Sequence, residues 1–309
     1  MAILLNFLLK ITWKINLGTR LKYRLKRSSY QFKKVSWSIG LYTTTEDFQF
    51  KKWKKSLNFY WFSIKTKHPY THVSGFADPF LVAQKGKLFL FYEAIVNKKG
   101  EIWSAEIIGN KLKEVQSAII EPFHLSYPNV FEDNGDFYMI PESSEDKTVR
   151  LYKSLEFPLK WELKKVLHSG SRFVDTNFLK IENIYYWFTF DLDLNLTRLF
   201  YSDTISSEWI EHKGSPIVSN RNAGNFIFSN NEIFRPVQIS KRHYGEGVNL
   251  LKIVELNKEK YEENQYIVPF LSSEKGFNLD GTHHISTVQF KGKTIIAVDG
   301  KNNNFYNVI

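Results

Sequence analysis

The sequence predicts an all-β fold, a five-bladed β-propeller with an N-terminal helical basic extension. A strand–turn–strand pattern recurs along the chain, and the starts of its five units lie 49, 48, 49 and 60 residues apart. Aromatic residues, which are enriched in strands, make up 16% of the 309 residues. Four strands in a unit of about 40–50 residues are typical of a propeller blade. The alternative, an irregular β-sandwich, does not usually keep so regular a period.

Each unit starts with a short segment at one aligned position. The five segments are Asp78-Pro-Phe-Leu, Tyr127-Pro-Asn-Val, Asp175-Thr-Asn-Phe, Gly224-Asn-Phe-Ile and His284-Ile-Ser-Thr. A turn residue and an apolar strand follow each segment, with the turn at Gly86, Gly135, Asn183, Asn231 and Gly292. Gly and Asn are typical of hairpin turns because these turns require positive φ.

The last unit is one or two strands short, since the chain ends soon after the second strand that follows His284. We expect residues 35–44 (VSWSIGLYTT) to supply the missing outer strands. The predicted domains are therefore a basic N-terminal segment at 1–34 and a propeller at 35–309, in which both ends of the chain close the ring.

The basic charge is concentrated at the N-terminus. The formal net charge is +10, yet residues 1–67 hold 15 Lys or Arg against two acids, and the remainder holds 27 basic and 30 acidic residues. Nucleic-acid binders more often spread Lys and Arg over a folded face, so no nucleic-acid partner is expected. The absence of cysteine excludes disulfides and thiolate metal sites.

Residues 1–17 (MAILLNFLLKITWKINL) are apolar but too short for a membrane span, and they lack the features of a signal peptide. The basic cluster LKYRLKR follows. This pattern favours a helix on an anionic membrane surface, and hence a cytoplasmic protein that is peripheral on the inner face of the membrane. The alternative is a helix that packs on the propeller with its charges in water.

Acidic residues fall in register with the repeat. Asp78 and Asp175 share the first aligned position, and Glu93, Glu142 and Asp299 share the position 15 residues later. Buried acids are costly unless they are paired or used, and grouped carboxyls acquire different pKa values, as glycosidic acid–base chemistry requires. The candidate catalytic residues are therefore Asp78, Glu142 and Asp175. The alternative is that Asp78 and Asp175 cap hairpin turns.

Further polar residues near the aligned positions are candidate substrate-binding residues. They are Glu93, His124, Tyr127, Arg221, Arg235, His283, His284 and Asp299. In a strand the two adjacent histidines point to opposite faces, so one would face the channel while the other packs. The two arginines fit either a bidentate clamp on a phosphate or carboxylate, or salt bridges to nearby acids. The spacing of His284 and the acids matches no metal-ligand pattern, so we expect no metal and no cofactor.

Several strings resemble a known propeller family, the N-terminal domain of plant glucosamine inositolphosphorylceramide transferases and its bacterial relatives. The most specific string is HLSYPNVFEDNGDFYMIPES (124–143), and others are FADPF (76–80), VDTNF (174–178), RNAG (221–224), RPVQ (235–238), HYGEGV (243–248) and THH (282–284). The resemblance covers roughly residues 37–300. It implies a bacterial protein of surface-polysaccharide or glycolipid biosynthesis, with a sugar or glycolipid substrate.

The family is similar in fold to glycoside hydrolase family 43. That similarity implies a base at Asp78 and a pKa-tuning acid at Asp175. Gly224 stands where such a hydrolase places its acidic Glu, which puts hydrolysis in doubt. Two hypotheses follow: a carbohydrate-active enzyme, or a non-catalytic sugar-binding module that serves a partner glycosyltransferase. In the plant proteins a C-terminal glycosyltransferase domain follows the propeller, and this sequence shows none.

Overall fold

A computed structural model describes residues 37–44, 58–62, 73–109, 111–217, 220–271 and 277–302. The strands in chain order are β1 (Trp37–Thr44), β2 (Asn58–Phe62), β3 (Val73–Gln84), β4 (Lys87–Val96), β5 (Lys99–Ile108), β6 (Lys111–Ile119), β7 (Ser126–Asp133), β8 (Asp136–Ser143), β9 (Thr148–Glu156), β10 (Lys160–Ser169), β11 (Phe173–Ile181), β12 (Ile184–Asp191), β13 (Leu196–Ser202), β14 (Ile210–Glu211), β15 (Ile227–Ser229), β16 (Glu232–Ile239), β17 (Gly247–Leu256), β18 (Tyr261–Leu271), β19 (Ile285–Phe290) and β20 (Lys293–Lys301).

These strands form five antiparallel four-stranded sheets, which confirms the predicted propeller. Blades one to four contain β3–β6, β7–β10, β11–β14 and β15–β18, and blade five has the order β19-β20-β1-β2. β1 pairs with β20 from Trp37↔Lys301 to Thr44↔Thr294, so the expected closure of the ring by residues from both ends of the chain is confirmed. The predicted helix at 1–34 lies outside the described residues.

Hydrophobic clusters fill the gaps between neighbouring blades. Between blades five and one, for example, Ile39 and Ile295 pack with Leu90 and Trp103. Four further clusters fill the gaps between blades one and two, two and three, three and four, and four and five. β4 is almost wholly buried because sheets cover both of its faces, whereas the outer strand β10 is mostly exposed.

The hairpin turns between the first two strands of each blade use left-handed backbone, as predicted. Gly86, Gly135, Asn231 and Gly292 have φ between 59° and 85°. In blade three the positive φ, 54°, belongs to Glu182 rather than to the predicted Asn183. Within the described residues, no helix is long and apolar enough to cross a membrane.

Candidate functional site

Three of the five aligned positions of the sequence repeat, Asp78, Tyr127 and Asp175, lie at bulges on the innermost strands. Asp78, Tyr127 and Asp175 have φ of 50°, 45° and 51°, and Gly224 has φ of 120°. In blades one to three, the strand register shifts between Ala77/Phe80, Ser126/Asn129 and Val174/Asn177. Left-handed backbone is costly for residues with a side chain, and bulges that re-aim side chains are common near functional sites.

Hydrogen bonds at or beside the aligned positions also connect neighbouring blades. The Tyr127 backbone N–H donates to Asp78 Oδ2 at 3.1 Å, which joins blades one and two. Asn222 Nδ2 donates to the Asp175 carbonyl at 2.7 Å, and the Ile285 N–H donates to the Ala223 carbonyl at 2.8 Å. The aligned positions and their neighbours therefore have a structural role at the junctions between blades.

A buried charge cluster joins blades five and one. His283 Nδ1 lies 2.5 Å from Asp299 Oδ2, and its Nε2 lies 3.3 Å from Asp78 Oδ1. Burial disfavours the imidazolium, but the carboxylates of Asp299 and Asp78 outweigh burial and raise the pKa of His283 to about 9. Burial would also raise the pKa of Asp299, yet His283 holds it below its usual value. His283 and Asp299 thus form an ion pair.

Asp78 is the third member of this cluster. Burial raises its pKa well above the usual value, and His283 only partly opposes that effect. Asp78, His283 and Asp299 could each offer one ligand atom to a cation, and these atoms lie within 4.8 Å of one another. Because a protonated His283 supplies the positive charge itself, a metal would first have to displace its proton.

A second cluster joins blades two, three and four. Arg221 binds Asp175 in a bidentate pair, with Nε–Oδ2 at 2.6 Å and Nη2–Oδ1 at 3.1 Å, and its Nη2 lies 3.6 Å from Glu142 Oε2. Burial and the neighbouring Asp175 raise the pKa of Glu142 to about 7, although Arg221 opposes them. Glu142 can therefore exchange a proton near neutral pH.

Glu93 and His124 form a third pair, between blades one and two. His124 Nε2 lies 2.9 Å from Glu93 Oε1, and the Gly100 N–H donates to Nδ1 at 3.0 Å. In the neutral ring this bond places the proton on Nε2, facing Glu93. We call Asp78, Glu93, Glu142, Asp175 and Asp299, together with His124, Arg221 and His283, the mouth cluster. It has five carboxyl groups and two cations, Arg221 and His283.

Two other predicted residues are fully buried. The Tyr127 hydroxyl donates to Asn177 Oδ1 at 2.9 Å and accepts the Gly224 N–H at 2.8 Å. The His284 ring packs against Phe80 and Tyr127, with centroid distances of 4.7 and 5.1 Å. Burial lowers the pKa of His284 to about 3, so this ring is neutral. The two adjacent histidines therefore have different surroundings, one charged and one mainly aromatic.

Of the two alternatives for Arg235, an anion clamp or a salt bridge to a nearby acid, the structure shows a salt bridge. Its side chain is fully buried, and it binds Glu263 through Nε–Oε2 at 2.9 Å and Nη2–Oε1 at 2.6 Å. Its Nη1 donates to Asn222 Oδ1 at 2.9 Å. The guanidinium also lies 5.6 Å from the centre of the Phe188 ring of blade three, so it is enclosed between blades three and four.

Two aromatic residues next to the mouth cluster were missed from the sequence. The Trp37 and Tyr244 rings lie 4.4 and 5.0 Å from the His283 ring, centroid to centroid. Arg221 Cζ lies 5.7 Å from the centre of the Tyr244 ring. The string HYGEGV contains Tyr244, but neither residue occupies an aligned position of the repeat.

Comparisons with known proteins agree with this architecture. The family model "Glucosamine inositolphosphorylceramide transferase 1, N-terminal" matches residues 31–301. Glucosamine inositolphosphorylceramide transferase 1 of Oryza sativa subsp. japonica is 33% identical over 244 residues, which cover 72% of this chain and 33% of the relative. The Arabidopsis thaliana protein is also 33% identical, over 72% of this chain and 32% of its own length. The chain thus spans about a third of these relatives.

Two solved structures are similar in fold. The catalytic domain of a Coprinopsis cinerea GH62 α-L-arabinofuranosidase has a TM-score of 0.59 at 10% identity, with 76% of this chain and 94% of that chain covered. A thermostable family-43 glycoside hydrolase has a TM-score of 0.54 at 16% identity, with 71% and 84% covered. At such low identity these similarities show the propeller fold alone.

Proposed function

Since the chain belongs to the family of the N-terminal domain of glucosamine inositolphosphorylceramide transferase 1, we propose that it is a carbohydrate-active propeller of glycan or glycolipid biosynthesis. The sugar part of its substrate binds at the mouth cluster. The observation that carries the proposal is the set of five carboxyl groups around two cations. Carboxylates accept hydrogen bonds from the many hydroxyl groups that a sugar presents.

The charge of the mouth cluster favours a sugar with a protonated amine. Arg221 is bound to Asp175, and His283 is bound to Asp299. Asp78 and Glu142 lie farther from these cations, at 3.3 Å from His283 and 3.6 Å from Arg221, so burial outweighs the cations and raises the pKa of each carboxyl. An ammonium group would complement these two carboxyls, whereas a phosphate would be repelled. The names of the plant relatives contain glucosamine, a sugar of this kind.

Glu142 is the residue best placed for proton transfer. Its pKa of about 7 lets it take the proton from an acceptor hydroxyl as that oxygen bonds to the anomeric carbon of an activated glycosyl donor and the bond from that carbon to the donor's leaving group breaks. Asp175 contributes by raising that pKa and by binding Arg221. Asp78, a carboxyl whose pKa burial raises, forms a hydrogen bond with the sugar. These are the roles of the three predicted catalytic residues in an enzyme.

One observation favours the second candidate, a module that binds the sugar without reacting. At Gly224, where family 43 hydrolases place an acid, a Cβ would lie 1.7 Å from the Ile285 carbonyl oxygen. This backbone therefore excludes a side chain at that position. Blade four supplies no acid there, so we do not propose hydrolysis.

Ligand-observed NMR on the full chain tests sugar binding, with methyl glycosides of glucosamine, glucose and N-acetylglucosamine as probes. We expect the glucosaminide to bind most tightly and the Glu142→Gln variant to bind it about tenfold more weakly, or ~1.4 kcal/mol. Glu132→Gln, on an exposed carboxylate, is the control and should bind as the wild type does. A wild-type protein that binds none of the three sugars would overturn the proposal.

Mass spectrometry after long incubation with candidate donors and acceptors separates the enzyme from the binding module. A product that Glu142→Gln fails to make supports the enzyme. Sugar binding without product supports the module, for which we propose a partner glycosyltransferase. Copurification of such an enzyme with the chain tests that partnership, and its absence under mild extraction would count against it.

We further propose that residues 1–34 hold the protein on the inner face of an anionic membrane. Each Lys or Arg near such a surface contributes about 1 kcal/mol. Glutamine at Lys22, Arg24, Lys26 and Arg27 should therefore abolish cosedimentation with phosphatidylserine vesicles, and high salt should weaken it in the wild type. Cosedimentation that neither change affects would refute the membrane role.

A further inference from the structure

We propose that Trp37 and Tyr244 form a stacking site for the apolar face of a pyranose ring, immediately beside the mouth cluster. This inference rests on the proposed function and specifies how the sugar is held. The two rings meet edge to face, with centroids 6.2 Å apart and an interplanar angle of 76°. We call this pair the aromatic corner, because one ring can stack on a ligand while the other forms a side wall.

An exposed aromatic side chain has little meaning by itself, since apolar atoms form much of any protein surface. Tyr244 is 46% exposed, but its surroundings set it apart. Its ring contacts both cations of the mouth cluster, Arg221 at 5.7 Å and His283 at 5.0 Å. Trp37, half-buried, contacts His283 at 4.4 Å. The aromatic corner is therefore continuous with the carboxyl groups.

The loop that carries Tyr244 is held in one position. The Thr282 N–H donates to the Gly245 carbonyl at 2.8 Å, and Arg242 binds Glu246 through both its backbone N–H and its Nε, at 3.0 and 2.7 Å. Gly245 has φ of 74°, and a Cβ there would lie 2.7 Å from Trp37 Cη2. The loop and Trp37 thus fit against each other, so little ordering is needed when a ligand binds.

A sugar needs both kinds of surface. Its hydroxyl and amine groups require polar partners, and the C–H groups on the face of the ring gain from leaving water. Ligand sites are mostly apolar with a few placed polar groups, and Tyr and Trp provide large, rigid apolar faces. The carboxyls of the mouth cluster alone would leave the ring face in water. The aromatic corner supplies the missing apolar surface at the same place.

The test is the affinity of Tyr244 variants for the methyl glucosaminide, measured by ligand-observed NMR and titration calorimetry on the full chain. Tyr244→Ala should weaken binding about tenfold, because it removes the ring. Tyr244→Phe keeps the ring and should stay within about threefold of the wild type. Phe228→Ala is the matched control, since Phe228 is an aromatic residue that is 64% exposed on another part of blade four. Thermal melting of each variant checks that it is folded.

Each outcome decides the proposal. Wild-type affinity in Tyr244→Ala, together with weakened binding in Glu142→Gln, would overturn the aromatic corner and leave the proposed function standing. Equal losses in Tyr244→Phe and Tyr244→Ala would assign the effect to the hydroxyl and overturn stacking. A wild-type protein that binds no sugar would overturn both proposals. Weaker sugar binding in Tyr244→Ala but not in Tyr244→Phe supports the aromatic corner. A similar loss of affinity in a folded Trp37→Leu variant extends this support to the second ring.

Discussion

Blades one and three place an aspartate in the same backbone position, yet the two carboxyls have different electrostatic surroundings. Asp78 and Asp175 have φ of 50° and 51° at equivalent bulges, and both are buried. Asp175 accepts two hydrogen bonds from Arg221 and one from Gln238. Asp78 accepts the Tyr127 N–H and shares His283 with Asp299, so burial prevails and raises its pKa.

The comparison shows that the repeat sets where a carboxyl lies, while the neighbouring blade sets its charge. A cation from blade four reaches Asp175, and the cation nearest Asp78 is already bound more closely by Asp299. Equivalent positions of one fold can therefore hold an acid whose pKa is raised by burial and an acid that is ion-paired. Sites that need both forms can be built in this way.

The largest change in the free energy of unfolding is expected when Arg221, the partner of Asp175 in blade three, is replaced. Arg221→Gln should lower the free energy of unfolding by about 3–5 kcal/mol, because it leaves the buried Asp175 carboxylate without its cation. Chemical denaturation measures the change. Arg172→Gln, which removes an exposed ion pair with Asp193, is the control and should cost no more than about 1 kcal/mol. Equal costs for the two variants would show that the Arg221 pair contributes no more than a surface contact.

The next effect is the pH dependence that comes from His283. Its folded pKa of about 9 exceeds its unfolded value of 6.5, so its stabilising contribution is complete below pH 6.5 and is lost as pH rises through 9. The loss should be about 3 kcal/mol. Asp299, Asp78 and Asp175 are the charged groups that cause the shift. Unfolding measured from pH 6 to 10 should show this slope in the wild type and not in His283→Gln; parallel curves would contradict the ion pair.

The smallest effect is expected at Asp78 itself. Asp78→Asn should change the free energy of unfolding by about 1 kcal/mol or less, because burial already disfavours the charge that the amide removes, and the amide oxygen can still accept the Tyr127 N–H. Asp175→Asn should cost more, since it removes a charge that Arg221 binds. Denaturation of the two variants side by side tests the comparison directly. A larger loss of unfolding free energy in Asp78→Asn than in Asp175→Asn would contradict the electrostatic difference between the two aspartates.

The positions of the repeat units could be predicted from sequence because they depend on local features. A turn residue and an apolar strand follow each aligned segment, including those at Asp78, Tyr127, Asp175 and Gly224, but the bulges themselves were not predicted. The closure by β1 could be predicted because the last unit was short of strands. Family membership, too, could be recognised from the strings around Tyr127 and Glu142.

Other features depend on contacts between distant segments. Arg235 and Glu263 face each other only because β16 and β18 flank β17 in one sheet. Trp37 and Tyr244 come from a closing strand and a loop, which the repeat does not align. The pKa of Glu142 depends on Asp175 and Arg221 from other blades. Spacing along the chain cannot show these distances, so the charge states of the candidate site required the structure.

The pairing of β1 with β20 has a consequence for synthesis on the ribosome. β1 emerges early, but its partner is made about 250 residues later. At roughly 5–20 residues per second, that delay is on the order of 10–50 s. During this time Ile39 and Leu41 can have β2 and residues of blade one as neighbours, but not β20 with its cluster residue Ile295. The nascent chain must therefore keep one edge of β1 open until the final blade is translated, and an open strand edge can pair with another chain.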